Sequence, residues 1–231
     1  RAPPIRDDKF IVSWNGLMIG ALAKAGFVFD RDDYIQTASK AADFILQSMT
    51  TKEGRLYRTH FGGENRYTAY LDDYAFLIHG LLNLFEATRD KKWLLAIQKL
   101  NTHLKAFYWD PQFGGYFMTA SDGEKLLTRD KPIYDGAEPC GNSVAAMNLL
   151  RLHTITTKER YKKTAEKLFA AFGDSIKYLK IISYSGKIKE LSNTSRDFYK
   201  YIGSFGMFGI ILEAKIKTKK IISNNLLLTT K

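Results

Sequence analysis

Three stretches of the chain repeat one apolar spacing. Take the aromatics Tyr34, Trp93 and Tyr161 as anchors. Twelve residues earlier stand Leu22, Leu81 and Leu149, and nine earlier Ala25, Leu84 and Leu152. Sixteen earlier stand Met18, Leu77 and Ala145, and four after the anchors Ala38, Ile97 and Ala165. These offsets are helical, so each unit reads as an apolar helix, a short turn and a second helix. The first helices, near Trp14–Val28, Asp72–Ala87 and Asn142–Thr154, are apolar on most faces, as buried helices are. The second helices set Lys40 and Asp43 beside Ala38, Ala42 and Ile45, the pattern of an outer layer with one wet face. The turns around Asp30–Asp33, Thr88–Lys91 and Thr156–Glu159 offer side-chain oxygens for N-caps. An inner ring of apolar helices inside an outer ring of amphipathic ones predicts a mainly α fold. Three α-hairpins make half of an (α/α)6 toroid over residues 1–173.

Between the pairs, Gly54-Arg55-Leu56-Tyr57 and Gly114-Gly115-Tyr116-Phe117 read as short β-ribbons. After Gly173 the period changes to that of strands. Ile176–Ile182 and Ser185–Glu190 predict a β-hairpin around Tyr184-Ser185-Gly186, then a short helix near Asp197–Tyr201 and a strand entered through Gly203–Ala214. Residues 174–231 are therefore expected to form a small, β-rich α+β appendage. The two parts are each expected to be incomplete, with an apolar flank of the inner helices left unpartnered.

Charge sharpens the division. The chain of 231 residues carries a net charge of +11, of which +7 falls in 174–231. Its lysines alternate with Ile and Leu instead of forming a basic block, so nucleic acid is not expected as a partner. The one cysteine, Cys140, allows neither an internal disulfide nor a cysteine-based metal site, and no His pair has metal-ligand spacing. No apolar run is expected to reach the roughly 18 residues of a membrane span, and no signal peptide is visible. A cytoplasmic location without membrane contact is expected. The chain opens on Arg1 in a loop-like sequence, so an upstream portion is expected.

Three acidic clusters precede the inner helices: Asp7-Asp8, Asp72-Asp73 and Asp135 with Glu138. One aspartate at each place would serve as a cap. Pairs of carboxylates are also what glycosidic-bond chemistry uses. The candidate catalytic residues are Asp72, Asp73, Asp135 and, as an alternative acid/base, His60 in a loop before the second cluster. Trp14 and Tyr74 are candidate platforms for sugar rings, and Asn15 and Asn142 candidate hydrogen-bonders of hydroxyls. Competing readings are core packing for the aromatics and for His79 and His153, and capping for the acids.

The motifs Asp7-Asp8-Lys9, Trp14-Asn15-Gly16-Leu17-Met18-Ile19, Leu71-Asp72-Asp73-Tyr74-Ala75-Phe76, and Tyr134-Asp135-Gly136-Ala137 with Gly141-Asn142-Ser143 resemble those of the thioredoxin-fused spermatogenesis-associated family. The resemblance covers residues 1 to about 173. It implies an (α/α)6 toroid like that of N-acylglucosamine 2-epimerases and six-hairpin glycosidases. It also implies a small-molecule carbohydrate as ligand, with a thioredoxin-like domain and the rest of the toroid as missing partners. Two positions depart from the pattern: Ile5 stands where His is expected and Cys140 where Ser is expected. Residues 176–222 resemble a piece of FAD-linked oxidases of the vanillyl-alcohol-oxidase type. That resemblance makes Gly203, Ser204, Gly206, Gly209 and Ile211 flavin contacts, although no cofactor is expected in so short a segment. Three functions follow as expectations: a fragment of a sugar-processing toroid, a non-catalytic binding toroid, or a fragment of a flavoprotein.

Overall fold

The structure is a computed structural model of the 231-residue chain. It describes residues 7–173, 176–183, 185–192, 194 and 209–216. The chain divides into two compact units, Arg1–Ala171 and Phe172–Lys231.

Six helices form three hairpins: α1 (Val12–Phe29) with α2 (Asp32–Ser48), α3 (Leu71–Thr88) with α4 (Lys91–Tyr108), and α5 (Gly141–Thr156) with α6 (Glu159–Gly173). Each hairpin turns on a non-glycine residue in the left-handed region: Asp30 (φ 54°), Arg89 (φ 58°) and Thr157 (φ 56°). All three stand four residues before the anchor aromatics, so the turn is part of the repeat. A left-handed residue costs about 1 kcal/mol. Part of that is returned because it caps the helix, as when the N–H of Thr157 donates to the His153 carbonyl at 2.7 Å. Of the expected N-caps, Asp90 on α4 is present, its Oδ1 accepting the Lys92 N–H at 2.9 Å.

The inner helices α1, α3 and α5 lie side by side with α3 between the other two, and α2 and α4 cover them from outside. Accordingly α3 buries nearly every face, whereas α4 buries the stripe Trp93, Ile97, Leu100, Leu104 and Tyr108 with Asn101 beside it. The α1–α3 contact is set by glycine. A Cβ on Gly16 would stand 2.6 Å from the Leu77 backbone N, and one on Gly80 would stand 2.5 Å from the Gly16 carbonyl oxygen. By length and composition α1 would also suit a membrane crossing. This corrects the expectation of no such stretch: Ser13, Asn15 and Lys24 interrupt the apolar run, but over its 18 residues the mean hydropathy is 1.3. Its backbone-close packing on α3 is that of a core helix. The opposite side of α1 exposes Trp14, Met18 and Val28 along one helical stripe.

The first ribbon is a three-stranded antiparallel sheet in the order β1 (Phe10–Ile11), β2 (Tyr57–Phe61), β3 (Glu64–Thr68). Gly62 and Gly63, both at positive φ, form the two-residue turn between β2 and β3. The second expected ribbon is reduced to one antiparallel bridge, Trp109 with Tyr116.

In the second unit β4 (Ile176–Ser183) lies between β5 (Ile188–Ser192) and β6 (Gly209–Ile216), antiparallel to both. The expected hairpin is present, with Gly186 at φ 75° in its turn. The helix expected near Asp197–Tyr201 lies outside the described residues.

Candidate active site at the inner-helix N-termini

The N-termini of α1, α3 and α5 meet beside strand β2, and charged side chains gather there. Asp73, at the third position of α3, is fully buried. Its Oδ1 accepts the Ser13 N–H at 3.0 Å and its Oδ2 the Tyr70 N–H at 2.8 Å. Arg58 on β2 reaches the same carboxylate at 3.3 Å. One side chain thus ties the starts of α1 and α3 to the ribbon. Burial pushes its pKa up, against the pull of the Tyr70 N–H and Arg58.

Asp72, one position earlier, points elsewhere. Successive helical residues are rotated by about 100°, and this rotation turns Asp72 toward α5. Its Oδ1 lies so close to Gly141 that a Cβ there would stand 2.2 Å away. The site is half-buried. Burial first, then the charges of Asp73 and Glu138, raise the Asp72 pKa to about 6, while Arg58 and the Gly141 amide hold it down. A carboxyl near 6 exchanges protons at working pH, which suits general acid–base chemistry.

Glu138, in the loop before α5, accepts the indole N–H of Trp14 from α1. Trp14 is 58% exposed, so its ring is fixed at one edge while a face stays open. Arg58 lies 4.6 Å from the ring centre of Tyr70, which is also partly open. The site therefore combines a protonatable acid, a second carboxylate, a cation and open aromatic rings.

The structure thus brings Asp72, Asp73 and Trp14 together. Asp135 lies in the same loop as Glu138, but its Oδ1 accepts the Cys140 N–H at 2.6 Å and so caps α5. Asn15, in the first turn of α1, donates to the Ile11 carbonyl at 2.8 Å. Asn142 is 2% exposed, and its amide exchanges hydrogen bonds with the Tyr116 backbone and donates to the Pro132 carbonyl. Tyr74 is fully buried, its ring against Tyr108 and its hydroxyl accepting the Leu56 N–H, and neither face is open. His60 packs between Phe10 and Phe44, with Nδ1 2.9 Å from Asn65 Oδ1. His79 lies among Asn83 and Arg151, and burial lowers its pKa to about 4.

The Cys140 thiol is buried, donates to the Pro132 carbonyl at 3.1 Å and is pushed up in pKa by burial, the reverse of an activated thiolate. Ile5, Gly203, Ser204 and Gly206 lie outside the described residues. Gly209 and Ile211 belong to β6, opposite Ser183 and Ile181 of β4. Among the described residues no cluster of His, Cys, Asp and Glu could hold a metal ion.

Two contributors escape sequence reading, Arg58 and Glu138. Arg58 sits in a ribbon whose alternation shows only that its side chain shares a face with His60. Glu138 belongs to an acidic motif, but no periodicity says which acid of a loop faces inward.

No family model matches the chain. It is 37% identical over 187 residues to spermatogenesis-associated protein 20 of Homo sapiens, covering 77% of this chain and 24% of that protein. The Mus musculus protein of the same name is 35% identical over 181 residues, covering 74% and 23%. The chain thus spans about a quarter of the length of these relatives. Among solved structures, a GH76 α-mannanase from Bacteroides thetaiotaomicron matches with a TM-score of 0.61 at 16% identity, over 74% of this chain and 46% of that one. A cellobiose 2-epimerase from Spirochaeta thermophila matches with a TM-score of 0.60 at 17% identity, over 73% and 44%. Three α-hairpins with inner and outer layers, matched to under half of these (α/α)6 enzymes, make the chain part of an α/α toroid, similar in sequence to spermatogenesis-associated protein 20.

Proposed function

We propose that the chain is part of a carbohydrate-processing α/α toroid in which Asp72 transfers the proton. The observation that carries this reading is the half-buried Asp72 carboxyl, raised to about 6 beside Glu138 and facing the N-terminus of α5. The toroid fold of glycosidases and sugar epimerases supports a saccharide as ligand.

In this reading Asp72 is the acid and gives its proton to the glycosidic oxygen as the bond to the leaving sugar breaks. Glu138 is the opposing carboxylate and takes a proton from the attacking water. The negative charge on Glu138 helps keep Asp72 protonated, so the two roles are coupled. Trp14 offers an open ring face to a sugar. Asp73 and Arg58 act through geometry, fixing the starts of α1 and α3 so that Asp72 is held at the mouth. Asp135 and Asn142 shape the α5 entrance in the same way. No step is assigned to a flavin, and none to a metal.

The test is turnover of α- and β-linked disaccharides and reducing sugars by the full chain, followed through anomeric proton signals in NMR. New anomeric signals that disappear in Asp72→Asn and Glu138→Gln are expected. Saccharide binding without turnover, unchanged in both variants, would instead favour the non-catalytic binding toroid.

A further inference from the structure

Away from the inner-helix site, α4 and α6, the outer helices of two hairpins, line an open pocket of about 370 Å³. Its lining sets two cations, Lys105 and Arg160, beside the hydroxyls of Thr102, Tyr161 and Thr164 and the amide of Asn101, with no carboxylate. Lys105 Nζ donates to Thr164 Oγ1 at 3.2 Å, joining the two helices. Arg160 lies 4.8 Å from the centre of the Tyr161 ring and donates to its hydroxyl at 3.0 Å. Neither cation pairs with a carboxylate among the described residues. Asn101, on the cavity wall, is only 8% exposed, and its carboxamide has no hydrogen-bond partner among the described residues. That leaves the amide free to meet a ligand in the pocket.

We infer that this cavity is a binding site for a phosphoryl oxyanion, held by Lys105, Arg160 and the amide of Asn101. Two uncompensated cations match the charge of about −2 of a phosphate monoester at neutral pH. A guanidinium offers paired donors to two oxygens, an ammonium a point charge, and the amide a neutral donor to the third. The volume is in the range of small-molecule sites and leaves room for a substituent on the phosphoryl group. This site is independent of the sugar-processing reading, since it shares no residue with it.

Isothermal titration of the full chain at fixed ionic strength tests the inference, with inorganic phosphate, glucose 6-phosphate and glucose as probes. Both phosphates are expected to bind with dissociation constants of roughly 1 mM or below, and glucose not to compete. Tighter glucose 6-phosphate marks a phosphorylated metabolite as occupant, and equal affinity marks free phosphate. The double variant Lys105→Gln, Arg160→Gln should weaken binding at least about tenfold, the loss of one charge-assisted hydrogen bond. Both side chains are exposed at the rim, so the variant keeps the fold, which its melting curve checks. Lys162→Gln, Lys163→Gln on the exposed side of α6 removes the same charge outside the cavity and should leave binding unchanged. Absence of phosphate binding up to about 10 mM overturns the inference. So does equal binding by the cavity variant and the wild type, or an equal loss in the Lys162/Lys163 control.

Discussion

Asp73 accepts the backbone N–H of Ser13 at 3.0 Å, across sixty positions of chain, with a carboxylate that no solvent reaches. The same group closes the first turn of α3 on Tyr70 and meets Arg58. A capping bond thereby becomes a tertiary one, and the mouth of the site inherits its geometry. Replacing Asp73 by Ala removes both amide acceptors and strands Arg58. A loss of about 2–4 kcal/mol is expected, from two buried hydrogen bonds to a charged group. Urea unfolding measures it. Stability unchanged within about 0.5 kcal/mol would remove Asp73 from the positioning role.

Asp72→Asn should behave in the opposite way. The Asp72 carboxyl titrates near 6 in the folded chain against 3.8 when free, so the folded state holds a proton that the unfolded state has released. Between about pH 4 and 6 stability therefore falls as pH rises, and the deficit is complete above 6. The asparagine carries no charge to desolvate. It should raise stability at pH 7.5 by on the order of 1 kcal/mol, reduced from the full shift because the site is half-exposed. At pH 4 the two chains should melt alike. Thermal melts at the two pH values decide it, and equal melting at pH 7.5 would contradict the raised pKa.

The close approach of α1 and α3 gives a third expectation. Gly16→Ala puts a methyl 2.6 Å from backbone atoms of Phe76 and Leu77, which cannot rotate away. Overpacking of this kind costs about 1–3 kcal/mol. Gly62→Ala, with open space around it, serves as the comparison and suffers only the strain of its positive φ. Denaturant midpoints for the two variants should separate, with Gly16→Ala the less stable.

The exposed stripe of Trp14, Met18 and Val28 on α1 carries a consequence for solubility. Met18→Lys with Val28→Lys should lower the light scattering of concentrated solutions while leaving the helical circular dichroism intact. A wild-type chain that stays monomeric at high concentration would show that the stripe drives no association.

The hairpins were legible because packing writes itself at helical spacing. Tyr34, Trp93 and Tyr161 mark the same place in three repeats, and the left-handed turn residues fall four positions before each. The tail's β-hairpin was legible from the change of period and from Gly186. The site was legible only as a neighbourhood. Asp72 and Asp73 are adjacent letters, yet a rotation of one helical step makes one a sealed cap and leaves the other at the mouth. Tyr74 reads as an aromatic beside an acid pair, but α3 is covered on nearly every side and the ring lies in the core. Asn142 reads as a free amide, and only the fold reveals that the Tyr116 and Pro132 backbone saturates it. Glu138 depends on Trp14, 124 positions away, a pairing that no local pattern contains.

The most direct test of the sugar-site reading follows the indole N–H signals of the chain's three tryptophans by NMR during saccharide titration. Trp14 donates to Glu138 at the mouth, whereas Trp93 is buried in the outer-helix core. A saccharide should shift the Trp14 signal and leave that of Trp93 in place, and Asp72→Asn should weaken the response. A Trp14 signal that stays fixed with every saccharide tried up to about 10 mM, or that shifts identically in Asp72→Asn, would rule out a sugar site at the inner-helix N-termini.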